Sequence, residues 1–548
     1  MNSSGSRCGF PGQPPRLRAL AAAVVALTAG GVLPPALAQA APATPSAAPA
    51  PAPTFAIKGF RITGDNPLND GETNRVLAPF LRADATIDTL QQATAALGKA
   101  LRDKGYGLHK VALPPQEVGD TVTLNIVKFG IGKVTTEGRS SYDEGNIRRS
   151  VPELRENGTP NLRQLAVQTA IANENPGKQI QVSLRESDEP DKIDANILVK
   201  ENKPWNFSAS VANTGSPATG RDRLTFAGGH ANLFNRDQQF VGAYTTSIEQ
   251  PGAVKQIGLS YRVPLYTLGG VIGASYTRSD VVGNFGAFSS TGAGHTLGVN
   301  YTHYLPPDGG RRSYVTLGLD DRLFDVTQIN GIAVPGQTER RSRPISVGYT
   351  MRYESDAAYW GYNAEFDVNT SSGPGNNLAS YVTEDPRITT ARWKAVRAGA
   401  NYLASFAGNW LWGIRSQFQY SPDALISGEQ FGLGGVASVR GTSERPLSGD
   451  RGLSASLEIT TPEAAPGLRF LGFIDAGWLN NHNPNGTTKP SSDRLASVGV
   501  GLRYTVAKFA ASVDYGRIVT GSVVPLSVNS LAPQKGDDKL HVNLSIRF

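Results

Sequence analysis

The chain has 548 residues, with 61 glycines, one cysteine, two methionines and 18% charged side chains. That length allows several domains, but a formal charge of +7 spread over it is too dilute to point to nucleic acid. The six histidines lack ligand spacing, and no Ser/His/Asp set or phosphate loop stands out, so no metal, cofactor or catalytic residue is expected.

Residues 1–40 read as a signal peptide. Arg7, Arg16 and Arg18 make a basic start, and Ala19 to Val32 is an apolar core. Ala38-Gln39-Ala40 fits a cleavage site, with Ala36-Leu37-Ala38 as the alternative. Cleavage would remove Cys8, the sole thiol, and three arginines with no acid, leaving +4. Beyond this start no run of about eighteen apolar residues occurs, so a transmembrane helix is not expected. Residues 41–54 form an Ala/Pro-rich linker that cannot build a core.

A small α/β unit is expected over 55–128. Phe55 to Ile62 alternates with period two and ends at the turn Gly64-Asp65-Asn66-Pro67. Asp70 is placed to cap a helix reaching Leu81, with Val76, Leu77, Phe80 and Leu81 on its apolar face. A second helix, Thr89 to Lys104, carries Leu90, Ala93, Leu97 and Leu101 at helical spacing and stops at Gly105. Strands at Gly107–Leu113 and Thr121–Val127 complete a β-α-α-β-β order. The same order recurs over 129–203, with helices at Asp143–Val151 and Asn161–Glu174, so the two units form a diverged internal repeat. Each offers a sheet edge that a partner strand can extend.

From 204 to 548 the pattern is strand after strand. Sixteen candidates run from 205–213 to 538–548, and most alternate. A membrane-crossing strand needs about 9–11 residues, longer than the roughly 5–6 typical of soluble sheets. Links after even strands are short. Links after most odd strands are long and polar, with the sixth spanning 421–451. That asymmetry predicts a membrane all-β fold: a 16-stranded antiparallel transmembrane β-barrel with tight turns on the periplasmic side and larger external loops. Trp360, Trp410, Trp412 and Trp478 suit the membrane interface.

The sixth loop contains Phe431 to Gly452, a glycine-rich stretch with Arg440 between Val439 and Gly441. One hairpin later comes Phe473-Ile474-Asp475-Ala476-Gly477. Parity puts Phe470, Ile474, Ala476 and Trp478 toward lipid and Phe473, Asp475 and Gly477 toward the lumen. In the preceding strand Ser454, Ser456 and Glu458 face inward. If the loop folds inward, Arg440 can pair with Asp475 in a bidentate contact, and Glu458 is a further partner.

Together, the barrel, the paired repeats, Ser438–Thr442 (SVRGT) and Phe473–Gly477 (FIDAG) resemble the TpsB transporters of two-partner secretion, in the BamA superfamily. The resemblance spans nearly all of the chain after the signal. It implies that the repeats are two periplasmic POTRA domains before an outer-membrane barrel. It also implies an inward sixth loop with Val439-Arg440-Gly441 at its tip and Arg440 on Asp475. The implied partner is a large secreted TpsA-type exoprotein, such as an adhesin, a cytolysin or a contact-dependent inhibition toxin. Phe548 resembles the terminal signal read by the barrel-assembly machinery, and the barrel exterior would meet outer-membrane lipid. Two departures stand out. Thr442 replaces the usual aromatic, and residues 42–53 are too short and proline-rich for the plug helix some members carry. The alternative is an outer-membrane assembly or insertion factor of the same superfamily. A passive porin or outer-membrane enzyme is a third reading, but the pair His295 and His303 and the pair Asp320–Asp321 lie on separate strands and read as lumen lining rather than as a catalytic set.

Overall fold

The computed structural model describes residues 54–117, 119–329, 332–486 and 488–548. The expected signal peptide lies outside these residues, as does the linker save Thr54.

In the first repeat, strand β1 (Gly59–Gly64) runs parallel to β3 (Thr121–Lys128), which separates it from β2 (His109–Ala112). Helices α1 (Asp70–Leu77) and α2 (Ile87–Asp103) complete the unit. The cap of α1 is Asn69 rather than Asp70: its side-chain oxygen accepts the Glu72 N–H at 2.8 Å. A cap must stand one residue before the first helical one, where its backbone is still extended. Helix α1 ends at Leu77 and passes into a 3₁₀ turn, Ala78–Phe80, at Pro79. Leu77 is therefore buried, whereas Leu81 is exposed. On α2, Leu90, Ala93, Leu97 and Leu101 are all buried, as their spacing requires.

In the second repeat, β4 (Gly130–Glu137) is parallel to β6 (Lys192–Glu201), and β5 (Lys178–Glu186) pairs antiparallel with β6 at the sheet edge. Helices α3 (Glu144–Ser150) and α4 (Leu162–Asn173) cover one face, capped by Asp143 and Asn161. Glu201 braces the turn before α3 by accepting the N–H groups of Ser140, Ser141 and Tyr142. Burial opposes its charge, but those three donors prevail and hold its carboxyl at about 2, below the usual carboxylate range.

This repeat is joined to the barrel's short-turn side. Lys178 Nζ, fully buried, lies 2.6 Å from Asn146 Oδ1, 2.6 Å from Ser150 Oγ and 2.8 Å from Asp237 Oδ2. Asp237 belongs to the first short turn. It also accepts the hydroxyl of Tyr266, from the second, at 2.7 Å. Glu174 accepts the hydroxyls of Tyr304 and Tyr314, which flank the third. Burial pushes the Lys178 ammonium down against the opposing pull of Asp237. Only a well-hydrogen-bonded partner makes such burial tolerable.

The barrel strands are β7 (Trp205–Ala212), β8 (Arg223–Leu233), β9 (Gln238–Ser247), β10 (Lys255–Leu265), β11 (Gly270–Ser279), β12 (Gly294–Tyr304), β13 (Arg311–Phe324) and β14 (Pro344–Glu354). They continue with β15 (Ala358–Asn369), β16 (Lys394–Phe406), β17 (Trp410–Tyr420), β18 (Arg451–Thr460), β19 (Leu468–Asn480), β20 (Ser492–Val506), β21 (Phe509–Thr520) and β22 (Asp538–Arg547). A short extension of β14, Arg340–Ser342, pairs with the end of β13. These sixteen antiparallel strands close into a barrel when β22 pairs with β7. Closure leaves no sheet edge for lipid to meet.

Alternation divides the wall as expected. Leu317, Leu319, Ile345, Val347 and Ile474 face outward and exposed, while Ser346, Asp367, Ser454, Ser456 and Asp475 are buried inside. The same period corrects the expected lumen lining. Asp320 faces inward with Arg322. Asp321 has the parity of outward Leu317 and Leu319 and pairs with Arg341 and Arg343. His295 and His303 share the outward parity of Leu297 and Val299. The long loop after β15 also holds a five-residue helix, Leu378–Val382, that periodicity is too short to reveal.

Candidate functional site

The sixth external loop, between β17 and β18, folds against the lumen wall. Its limbs pair in a two-stranded ribbon, Phe431–Leu433 with Leu447–Gly449. Phe431, Leu433, Val439 and Leu447 pack with Leu479, Leu495 and Ile518 of the wall. Burying this apolar face draws the loop inward, at roughly 1.5–3 kcal/mol per fully buried large side chain.

That packing delivers the tip to Asp475. Arg440 Nε donates to Asp475 Oδ2 at 2.8 Å and Nη2 to Oδ1 at 2.8 Å, a bidentate pair. The backbone N–H of Arg440 adds a third bond, at 3.0 Å to Oδ2. Register explains the next partner. Ser456 stands directly opposite Asp475 on β18, and its hydroxyl accepts Nη2 at 3.0 Å. Glu458 Oε1 lies 2.7 Å from Nη1, and Asp514 Oδ2 lies 3.7 Å from it. The guanidinium carbon sits 3.4 Å from the centre of the Phe473 ring. Arg440 is 1% exposed and Asp475 0%. A guanidinium so enclosed needs this many acceptors, because its desolvation is otherwise uncompensated.

Gly441 and Gly477 are steric requirements of the contact. Gly441 has φ +95°, and a Cβ there would come within 2.8 Å of the Gly516 carbonyl oxygen. A Cβ on Gly477 would meet Leu433 at 2.1 Å, so the wall is bare where the loop lands. The Gly441 N–H donates to His541 Nε2 at 3.0 Å. Thr442, at the position expected to be aromatic, closes the turn instead. Its hydroxyl accepts the Gly435 N–H at 2.8 Å, and its oxygen lies 3.2 Å from the Val439 carbonyl.

Val439, Arg440, Gly441, Glu458, Phe473, Asp475 and Gly477 thus converge on one place. Phe548 does not: it is 65% exposed at the far end of β22, where its N–H donates to the Phe207 carbonyl at 2.9 Å. Sequence reasoning missed Asp514 and His541, which face each other across β21 and β22. Parity alone signals that they point inward. It does not say that the loop crosses to them.

A closed sixteen-stranded barrel, polar inside and apolar outside, with two β-α-α-β-β units before it, defines an outer-membrane transporter-type barrel with POTRA-type domains. The profile of the POTRA domain, ShlB-type, matches residues 55–128. The profile described as haemolysin secretion/activation protein ShlB/FhaC/HecB matches residues 191–504, and the chain belongs to that family. Among relatives, the outer membrane transporter CdiB of Dickeya dadantii is 22% identical over 80% of this chain and 79% of its own. The heme/hemopexin transporter protein HuxB of Haemophilus influenzae is 22% identical over 82% and 81%. Among solved structures, CdiB from Escherichia coli superposes with a TM-score of 0.72 at 19% identity, covering 92% of this chain and 93% of that one. CdiB from Acinetobacter baumannii gives 0.70 at 17%, covering 91% and 90%. These likenesses support the fold. The protein is an outer-membrane one, with its POTRA domains in the periplasm.

Proposed function

We propose that this chain is the outer-membrane pore of a two-partner secretion system, exporting a large β-helical exoprotein of the TpsA type. The POTRA domains capture the unfolded exoprotein as it arrives, the edge strand of a repeat adding a strand of cargo by backbone pairing. The barrel then conducts it outward. The observation that carries this reading is the long loop folded into the lumen and held by Arg440 on Asp475. A passive porin has no evident use for so specific a loop contact together with two soluble domains preceding the barrel in the chain. In this reading Val439, Arg440 and Gly441 form the loop tip, Phe473, Asp475 and Gly477 its seat, and Glu458 a supporting acid. The barrel-assembly machinery reads the strand ending in Phe548, and the apolar exterior sits in outer-membrane lipid. The relatives CdiB and HuxB are both named as transporters, which supports a transport role for this chain.

Co-expression with a TpsA-type exoprotein tests this. The exoprotein is expected in the medium only when this chain is present, and in the periplasm when it is absent. Equal release without the chain would overturn the reading.

A further inference from the structure

The lumen holds a second charged cluster, on the wall away from Asp475. Glu429, 0% exposed, stands in the first limb of the same loop. Its Oε2 accepts Arg322 Nη1 at 2.7 Å and Arg397 Nη2 at 2.9 Å, and its Oε1 accepts the Ser342 hydroxyl at 2.5 Å. Gln419 Nε2 donates to its backbone carbonyl at 2.9 Å. These partners lie on β13, the β14 extension, β16 and β17. The Arg440 partners lie on β18, β19 and β21. One loop is therefore tied to two different stretches of wall.

We propose that Glu429 is a second anchor of the lumen loop, a positioning residue that seals the β13–β17 side of the channel while Arg440 holds the β18–β21 side. The proposal rests on the secretion-pore reading for its purpose, though not for its test.

The charges within the wall explain why Glu429 acts as a latch rather than as a structural necessity of the barrel. Arg322 also donates to Asp320 at 2.5 Å, and Arg397 to Asp367. Both arginines keep a wall carboxylate if Glu429 is neutralised. The wall can thus stay paired without the loop, and the carboxylate that the loop supplies is the removable member. Asp475 differs, since Arg440 is the cation bound to it and comes from the loop itself. Withdrawing Arg440 strands a buried acid, whereas withdrawing Glu429 strands no wall charge. Constrictions set the conductance of a pore, so loosening this tie is expected to open an ion path while the paired wall keeps the fold.

The test uses the full chain in planar lipid bilayers, with heat-modifiable gel mobility as the readout of barrel assembly. Glu429→Gln is expected to assemble and to raise mean ion conductance by about three- to tenfold, as a partly opened constriction should. Glu429→Asp, too short to reach both arginines, is expected to give an intermediate value. Arg397→Lys reads the same latch from the wall: it keeps a charge for Asp367 but loses the fork that spans both acids. It should raise conductance too, and Glu429→Gln with Arg397→Lys together should conduct no more than Glu429→Gln alone. Wild-type conductance in assembled Glu429→Gln would overturn the proposal. If Glu429→Gln does not assemble, wild-type conductance in Arg397→Lys overturns it instead. Conductance needs no exoprotein, so failure here is distinct from failure of secretion by the unaltered chain.

Discussion

Arg440 brings five N–H donors into a buried position, and the lumen wall answers each of its three nitrogens with a carboxylate or hydroxyl oxygen. Removing one side of a buried pair leaves the other uncompensated, at about 3–5 kcal/mol. Arg440→Ala is therefore expected to cut exoprotein secretion at least about tenfold, with normal assembly by heat-modifiable mobility. Asp475→Ala should match it, and the double variant should be no worse than the worse single one. If the two losses multiply, the residues do not act as a pair. A second residue-scale effect concerns Glu201. Its folded carboxyl sits at about 2 against an ordinary 4.5, so the folded state binds its proton more weakly than the unfolded state does. The stability it contributes is present above 4.5 and is lost as pH falls through about 2. Melting of the periplasmic part, followed in the full chain from pH 6 downward, should fall in that window. In Glu201→Gln the fall should be smaller, since Asp194 of the same repeat is also held low, and stability at neutral pH should be lower. Identical pH profiles would disprove the assignment.

At the scale of elements, the second repeat is tied to the barrel by buried polar contacts rather than by apolar packing alone. Lys178 begins β5, and its ammonium reaches across to the first barrel turn at Asp237. Lys178→Met removes the cation but keeps much of the volume, leaving Asp237 buried against Tyr266 without a counter-charge. A loss of about 3–5 kcal/mol at this junction is expected. It is checked by limited proteolysis at 201–205, which should become much faster while the barrel stays folded. Unchanged cleavage would mean that the junction does not depend on this pair. The helices of both repeats were legible because their apolar periods are strong, as Leu90, Ala93, Leu97 and Leu101 illustrate. The caps were less so: Asn69 and Asp70 are both good capping types, and only backbone geometry selects between them. The short loop helix Leu378–Val382 left no periodic signal.

For the whole molecule, the proposed division of labour separates capture from conduction. Deleting 55–128 should abolish exoprotein release, measured in the medium, while the assembled barrel still conducts ions in bilayers. Retained release would make the first repeat a spacer. The barrel itself was readable because lipid enforces a simple rule: every strand must alternate, and every backbone group must find a partner within a closed sheet. The same alternation, carried through position by position, separates inward Asp320 from outward Asp321, which proximity in sequence had merged.

What the sequence determined alone follows from local periodicity: strand number, which loops are long, which side chains of β18 and β19 face inward, and hence Asp475 and Glu458 as candidate partners for Arg440. What only the tertiary structure decided is which distant segments meet. The loop carries two limbs, and nothing in its spacing tells that Glu429 reaches Arg322, 107 residues away, or that Gly441 meets His541, 100 residues away. Such contacts depend on how the closed barrel curves its walls around the loop. Parity gives each residue a face, whereas closure of the sheet determines which faces confront one another across the lumen.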